Sequence, residues 1–210
     1  MLVASCQLRV PFLVAVLELT LATSYLLLSN SMEPLLIETE RLILRPLSEA
    51  DIPELVPLIG DRRVAATTLR IPHPFHEQDA RDFLGSAAKE NELRLGIRLR
   101  NDNTFIGGMG LHPYPEHKRA ELGYWLGVPY WGRGYATEAG RAVVKYGFEK
   151  CGLNRIFAGH FKHNPASGRV LAKIGMKYEG CMRQNIVKWD EFVDIEVYSI
   201  LKQEFDSALK

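Results

Sequence analysis

The chain has 210 residues, 47% of them hydrophobic, with a formal net charge of +1. That length suits one ordinary domain with a substantial core, and the balanced charge offers no field for nucleic acid or an anionic membrane. The three cysteines, Cys6, Cys151 and Cys181, are spaced for neither a disulfide framework nor a zinc site, so the expected compartment is reducing and cytoplasmic.

Residues 1–31 differ in character from the rest of the chain. Val10–Leu28 is mostly apolar but interrupted by Glu18 and preceded by a single Arg9. A secretory signal needs a more charged start and a small-residue cleavage site, of which Ala22–Ser24 is a poor version. The length could cross a membrane, yet a mid-segment glutamate costs a few kcal/mol on insertion scales. The favoured reading takes Met32 as the native start, with an extension at 1–31 and one domain over 32–210; a membrane anchor is the alternative.

Glu40–Arg45 alternates and reads as the first strand, closed by Pro46. Ser48 and Asp51 have capping-box spacing before a helix that Pro53 and Pro57 should keep short or kinked. Asp61–Phe75 reads as a connector. A second helix comes next, with Ala80, Phe83, Leu84 and Ala87 on one face. Leu93–Leu99 and Thr104–Leu111 read as strands joined by Asn101–Asn103, and Pro113–Arg119 reads as a polar loop.

The densest signal lies in Glu121–Lys150. Ala120–Val128 is apolar apart from Glu121 and suits a buried strand that ends before Pro129. Gly132 and Gly134, two apart in WGRGYA, allow a tight turn and a close backbone approach to a ligand. A helix then begins at once, with Ala136, Ala139, Val143 and Gly147 on one face. A glycine turn opening a helix presents unpaired N–H groups and the positive end of the helix dipole, which bind phosphate without a dedicated lysine. The P-loop and dinucleotide fingerprints are both absent. Downstream, Arg155–Phe161 reads as a strand and Asn164–Met176 as a helix with Asn164 at its N-cap, Pro165 at N1 and Gly175 at C′. Met176–Arg183 and Phe192–Leu201 read as a closing hairpin.

The order strand, GxG turn, helix, strand, N-x-x-S helix resembles the acetyl-CoA-binding core of the GNAT N-acyltransferases. ELGYWL, YWGRGYATEA and NPASGRVLAKIGM are similar to the branch containing the RimJ/RimL-type ribosomal-protein N-terminal acetyltransferases. The resemblance spans about Ile37 to Leu201, and MEPLLIETERLILRPL from Met32 matches how family members open. It implies an α/β (α+β) fold: a mixed, twisted, mostly antiparallel sheet of about seven strands flanked by about four helices. It also implies direct acetyl transfer from acetyl-CoA to an amine by a monomer or homodimer. The acceptor would be a protein N-terminus or, alternatively, a small amine such as a polyamine or aminoglycoside. A non-catalytic acyl-CoA-binding module is the rival of another class.

Attack on a thioester requires the amine to lose a proton. Glu121, the sole charge in the central strand, is the candidate base, because a partly buried carboxylate is a better proton acceptor than a solvated one. The bland alternative is a structural carboxylate paired with an arginine. By resemblance, Ser167 is the candidate acid or thiol partner, or else a second capping hydroxyl. Leu171 stands where many superfamily members carry a tyrosine acid. The resemblance assigns cofactor binding to the backbone of Leu126, Gly127 and Val128, to Gly132, Gly134, Tyr135 and Ala136, and to Asn164. Arg133 and Thr137 are possible side-chain helpers. Trp131 replaces the usual first residue of the phosphate loop, as is common in this branch. His73/His76 and His160/His163 share a spacing but lack a third ligand, so no metal is expected. A chain beginning at Met32 is expected to fold and bind acetyl-CoA like the full chain, checked by thermal melting and calorimetry.

Overall fold

The computed structural model describes residues 35–87 and 92–208. The apolar segment Val10–Leu28 lies outside the described residues. Among these, the chain runs β1 (Ile37–Glu38), β2 (Leu42–Pro46), α1 (Ile52–Ile59), α2 (Arg62–Ala65), α3 (Glu77–Ala87), β3 (Leu93–Leu99), β4 (Phe105–Tyr114) and β5 (Arg119–Leu126). It continues through α4 (Tyr135–Glu149), β6 (Arg155–Phe161), α5 (Pro165–Lys173), β7 (Lys177–Lys188), β8 (Glu191–Leu201) and α6 (Lys202–Ala208). One eight-stranded sheet results, in the order β1-β2-β3-β4-β5-β6-β8-β7. Every neighbouring pair is antiparallel except β5–β6.

This is the expected mixed, mostly antiparallel architecture, with a two-residue edge strand and two short helices added. Leu93–Leu99 and Arg155–Phe161 form strands over their predicted ranges. The central strand stops at Leu126, two residues early, because Val128–Tyr130 tightens into a 3₁₀ turn around Pro129. Pro57 sits inside α1, which lasts only two turns. Phe83 lies on the predicted apolar face of α3 yet is exposed, its ring covered by the Arg94 guanidinium at 4.1 Å.

Successive strand residues face opposite sides, and the core divides accordingly. Ile106 joins Leu44, Ile97, Leu111 and Leu122 beneath α4 and α5, where Ala139, Val143, Val144 and Leu171 are buried. Its neighbour Phe105 points the other way, into Ile52, Leu55, Ile59, Val64 and Ala80 of α1–α3. The sheet is thus sandwiched between two helical layers.

What positions the site is the way β5 and β6 part. They pair only over Arg119–Glu121 with Arg155–Phe157. Beyond Glu121, β5 continues on β4 as far as Leu126, while β6 continues on β8 as far as Phe161. Gly127 donates its N–H to Ile106 O at 2.9 Å. Hydrogen bonding along an antiparallel pair alternates by residue, so Tyr124 and Leu126 turn their N–H and C=O groups away from β4 and into the gap.

A buried charge network fixes the start of α1 to this frame. Asp51, 1% exposed, accepts from Arg45 (2.6 and 2.9 Å), Arg98 (2.7 Å) and the Ser48 N–H (2.9 Å), the last being the reach-back half of the expected capping box. Burial alone would raise its pKa, but the hydrogen bonds from Arg45, Arg98 and Ser48 outweigh it and hold the carboxyl at about 2. A depressed folded-state pKa gives stability that is present above the unfolded value and lost as pH falls through about 2. Asp51→Asn leaves the buried Arg98 with Glu54 (2.7 Å) as its remaining carboxylate partner and should cost ~3 kcal/mol in urea unfolding at neutral pH, the low end for a broken buried pair. The gap between variant and parent should narrow as the pH is lowered toward 2.

Candidate active site

A cleft of about 880 Å³ opens along the parting of β5 and β6. One end is formed by Gly132 and Ala136, the middle by Tyr124, Asn164 and Ser167, and the far end by Glu121, His112 and Glu92. The connector Thr67–Pro72 and part of α3 supply the opposite wall. Of the residues expected from sequence, Glu121, Ser167, Leu126, Gly132, Ala136 and Asn164 line this cleft. Gly127, Val128, Arg133, Gly134, Tyr135 and Thr137 adjoin it without lining it.

Gly132 and Gly134 adopt φ of +72° and +82°, the left-handed region that other residues rarely enter. The N–H groups of Gly132, Arg133, Gly134, Tyr135, Ala136 and Thr137 donate to nothing among the described residues. They form a continuous run of free donors at the positive end of α4. A second contact set holds the turn in shape. Glu138 in the first turn of α4 accepts from Thr39 Oγ1 (2.6 Å), Arg41 N–H (2.8 Å) and Arg41 Nε (2.7 Å). Arg41 also donates to the Arg133 carbonyl (3.1 Å) and stacks on the Tyr135 ring (4.7 Å). Burial would raise the Glu138 pKa, but its bonds from Thr39 and Arg41 hold it below the ordinary carboxylate range. The Arg133 side chain is exposed, and Thr137 is half-buried.

Asn164 occupies the N-cap position of α5, but its side chain makes no capping hydrogen bond. Its backbone N–H donates to Phe161 O at 2.7 Å and its carbonyl takes the Ser167 N–H at 3.1 Å, while among the described residues its side-chain amide has no hydrogen-bond partner. Ser167 Oγ lies 2.5 Å from Tyr124 Oη across the gap. Burial pushes the Tyr124 phenol up to about 12, the bond to Ser167 offsetting only part of that rise. Tyr124 is thus both a wall of the cleft and the partner of Ser167.

The backbone at Leu126–Val128 is less free than expected. The Leu126 carbonyl accepts from Trp131 Nε1 (2.7 Å), and Gly127 spends its N–H on Ile106 and its C=O on the Tyr130 N–H. Gly127 lets Leu58 of α1 approach this turn closely: a Cβ there would lie 2.8 Å from Leu58 Cδ2. The N–H groups of Leu126 and Val128 remain for a ligand.

Glu121, 35% exposed at its side chain, meets Arg70 Nη2 at 3.3 Å. Neither Arg70 nor Glu92 is singled out by the sequence, because both reach the site from distant segments. Glu92 is 8% exposed and bonds both Arg94 Nε and His112 Nδ1, with Arg70 Nη1 at 3.7 Å. Burial would raise its pKa, but the bonds from His112 and Arg94 hold it below its ordinary value. Among the described residues no group of three or more His, Cys, Asp or Glu side chains is placed to hold a metal. Nor is any helix among them long and apolar enough to cross a membrane.

A family model described as an acetyltransferase (GNAT) domain matches residues 41–177. The chain belongs to the GNAT acetyltransferases. It is 34% identical over 171 residues to the N-acetyltransferase YoaA of Bacillus subtilis, whose role is uncharacterised, covering 80% of this chain and 97% of that protein. It is 30% identical over 126 residues to YdaF of Bacillus subtilis, provisionally named a ribosomal N-acetyltransferase, covering 60% of this chain and 68% of that one. Among solved structures, a GNAT acetyltransferase from Bacillus anthracis superposes with a TM-score of 0.73 at 30% identity, over 80% of this chain and 99% of its own. These relatives agree with the RimJ/RimL-type branch, and the protein is an N-acetyltransferase. Tyr124 could have been found in the sequence by placing its hydroxyl against the N-x-x-S helix, and Glu92 by asking which charge faces His112 across β3 and β4.

Proposed function

We propose that this GNAT enzyme carries acetyl from acetyl-CoA directly to a primary amine, with a protein N-terminal α-amine as the acceptor class. The observation that carries this reading is continuity. The free N–H groups of Gly132–Thr137, the unspent backbone of β5, the Tyr124–Ser167 pair and Glu121 succeed one another along a single cleft. In this reading the pyrophosphate rests on the Gly132–Thr137 N–H groups, with Arg133 and Thr137 beside it. The pantetheine then lies in the gap as an added strand. It bonds the free backbone groups of Tyr124 and Leu126 and the Asn164 amide. This brings the thioester to Ser167, whose hydroxyl, backed by Tyr124, donates to the leaving sulfur. Glu121 faces the amine and takes up its proton, directly or through a water.

The cleft is lined by four carboxylates (Asp79, Asp82, Glu92, Glu121) and four guanidiniums (Arg70, Arg94, Arg119, Arg155). That balance suits a carrier presenting one amine better than a polycation. An α-amine, with a pKa near 8 against about 10.4 for lysine, also asks less of the base. Transfer is direct, without an acyl-enzyme. Burial pushes the Cys151 thiol above its ordinary value, the reverse of what a nucleophilic cysteine needs.

Free-thiol release from acetyl-CoA, followed across N-terminal peptides, lysine peptides, polyamines and aminoglycosides, should be fastest with the N-terminal peptides. Faster turnover of a polyamine or an aminoglycoside would transfer the assignment to small amines. Gly134→Val places a branched side chain at φ +82°, with its Cβ 3.4 Å from Arg41 Nη2. It should weaken acetyl-CoA binding by roughly tenfold (1.4 kcal/mol) or more in calorimetry. Unchanged affinity would remove the phosphate-loop assignment. Glu121→Gln should keep cofactor binding and lose about 100- to 10,000-fold in turnover at neutral pH.

A further inference from the structure

His112 stands directly opposite Glu121 in the β4–β5 register, so the two side chains share one face of the sheet. Cross-strand neighbours of this kind place their Cβ atoms about 4.5–5.5 Å apart. The His112 ring is held on two sides, its Nδ1 by Glu92 and its edge by Tyr114, whose ring centre is 5.2 Å away at 74°. The charged groups around it are Glu92 from the segment before β3, Arg94 of β3, Arg70 of the connector and Glu121 of β5. The side chain of His112 is 28% exposed, in the same cleft that Ser167 and Glu121 line.

We propose that His112, oriented by Glu92, is the group on which the amine's proton comes to rest after Glu121, which holds the incoming ammonium beside it, has taken that proton up. The proposal rests on the amine-transfer reading and names a catalytic residue and a positioning residue within it. Two arguments support it. A buried carboxylate that already takes bonds from Arg94 is an acceptor only, so the Nδ1 facing it carries hydrogen and the basic lone pair falls on Nε2. Nε2 makes no hydrogen bond among the described residues. Second, an isolated carboxylate is a weak match for an ammonium, whereas imidazole titrates near the working pH, where general-base catalysis is most efficient.

An N–H bond of the ammonium breaks and its proton moves by way of Glu121 to His112 Nε2, leaving a neutral amine. The nitrogen lone pair forms a bond to the thioester carbon, and the tetrahedral intermediate collapses with cleavage of the C–S bond. The leaving sulfur takes the second amine proton as the amide forms, Ser167 serving as intermediary. His112 then releases its proton to solvent. Glu92, negative beside the transient imidazolium, stabilises it as the aspartate of a catalytic triad does.

The decisive measurement uses the unaltered enzyme. Its kcat is tracked against pH at several temperatures, with saturating acetyl-CoA and an N-terminal peptide or, if that is not turned over, spermidine. The acidic limb should shift with temperature as an imidazole ionisation does, since carboxylate ionisation has almost no enthalpy. A temperature-invariant limb in an enzyme that acetylates amines would overturn the role of His112 while leaving the amine-transfer reading intact. Absence of turnover with every amine would instead sink that reading. His112→Ala should bind acetyl-CoA normally, lose about 100- to 10,000-fold in kcat and recover part of it on addition of free imidazole. Failure of imidazole to restore any activity in a variant that binds acetyl-CoA normally counts against the proposal. Glu92→Gln should move the acidic limb to lower pH with a smaller fall in kcat; an unmoved limb would remove Glu92 from the proposal.

Discussion

The structure depends on a pairing that stops. β5 and β6 hold each other over three residue pairs and then separate, each retaining a partner on its other side. A parallel pair cut short is costly if the released backbone groups are sealed away from water, because buried N–H and C=O groups need partners. Here they face an open cleft. The unspent groups of β5 are thus both a stability problem for the sheet and a docking edge for an extended ligand. Parting the strands also brings the start of α5, which comes after β6, across from Tyr124, which belongs to β5. The Tyr124–Ser167 contact exists only because the strands have diverged far enough to admit it and no further.

Keeping donors free requires holding the turn without using them. At Gly132–Thr137 the two left-handed glycines bend the chain so that consecutive N–H groups point outward, a conformation that would drift without external support. The support comes from the β1–β2 corner. Thr39 and Arg41 bind Glu138, and Arg41 reaches the Arg133 carbonyl. Each of these contacts engages a carboxylate or a carbonyl, so none consumes an N–H of the turn. A carboxylate in the first turn of a helix is also favoured by the helix dipole, so Glu138 stabilises α4 while leaving its leading donors open.

The legible parts of the fold were those written in local sequence. Arg155–Phe161, Leu93–Leu99, the glycine turn and the face of α4 carrying Ala136, Ala139 and Val143 all derive from periodicity or backbone chemistry within a dozen residues. What escaped depends on contacts between distant segments. Asn164 has the right residue type for a cap, but its side-chain amide is left for other partners. Leu126 looks like free strand backbone until Trp131 folds back and takes its carbonyl. Phe83 fits an apolar stripe, yet Arg94 from the next strand covers it in place of core. Glu92 is 20 residues from His112, and nothing in its neighbourhood marks it as more than a charge before a strand.

The two carboxylates at the far end of the cleft show how environment separates roles. Glu92 is nearly buried, bonded to Arg94 and His112, and held ionised by them. Glu121 is a third exposed and has the exposed Arg70 as its counter-ion. Arg70 reaches both, at 3.7 and 3.3 Å, so it can swing between them at little cost, since an exposed ion pair is worth about 1 kcal/mol or less. An arriving ammonium can therefore displace Arg70 from Glu121 without leaving the guanidinium unpaired, because Glu92 remains within its reach. The displaced arginine would then sit closer to Glu92 and draw its charge away from His112, which makes the imidazolium less stable and quickens return of the proton to solvent. Amine binding and proton release would in this way be linked through one side chain, and Arg70→Ala should weaken that link. The expected result is a lower KM for the amine, since its competitor for Glu121 is gone, together with an acidic limb of the rate profile displaced to higher pH.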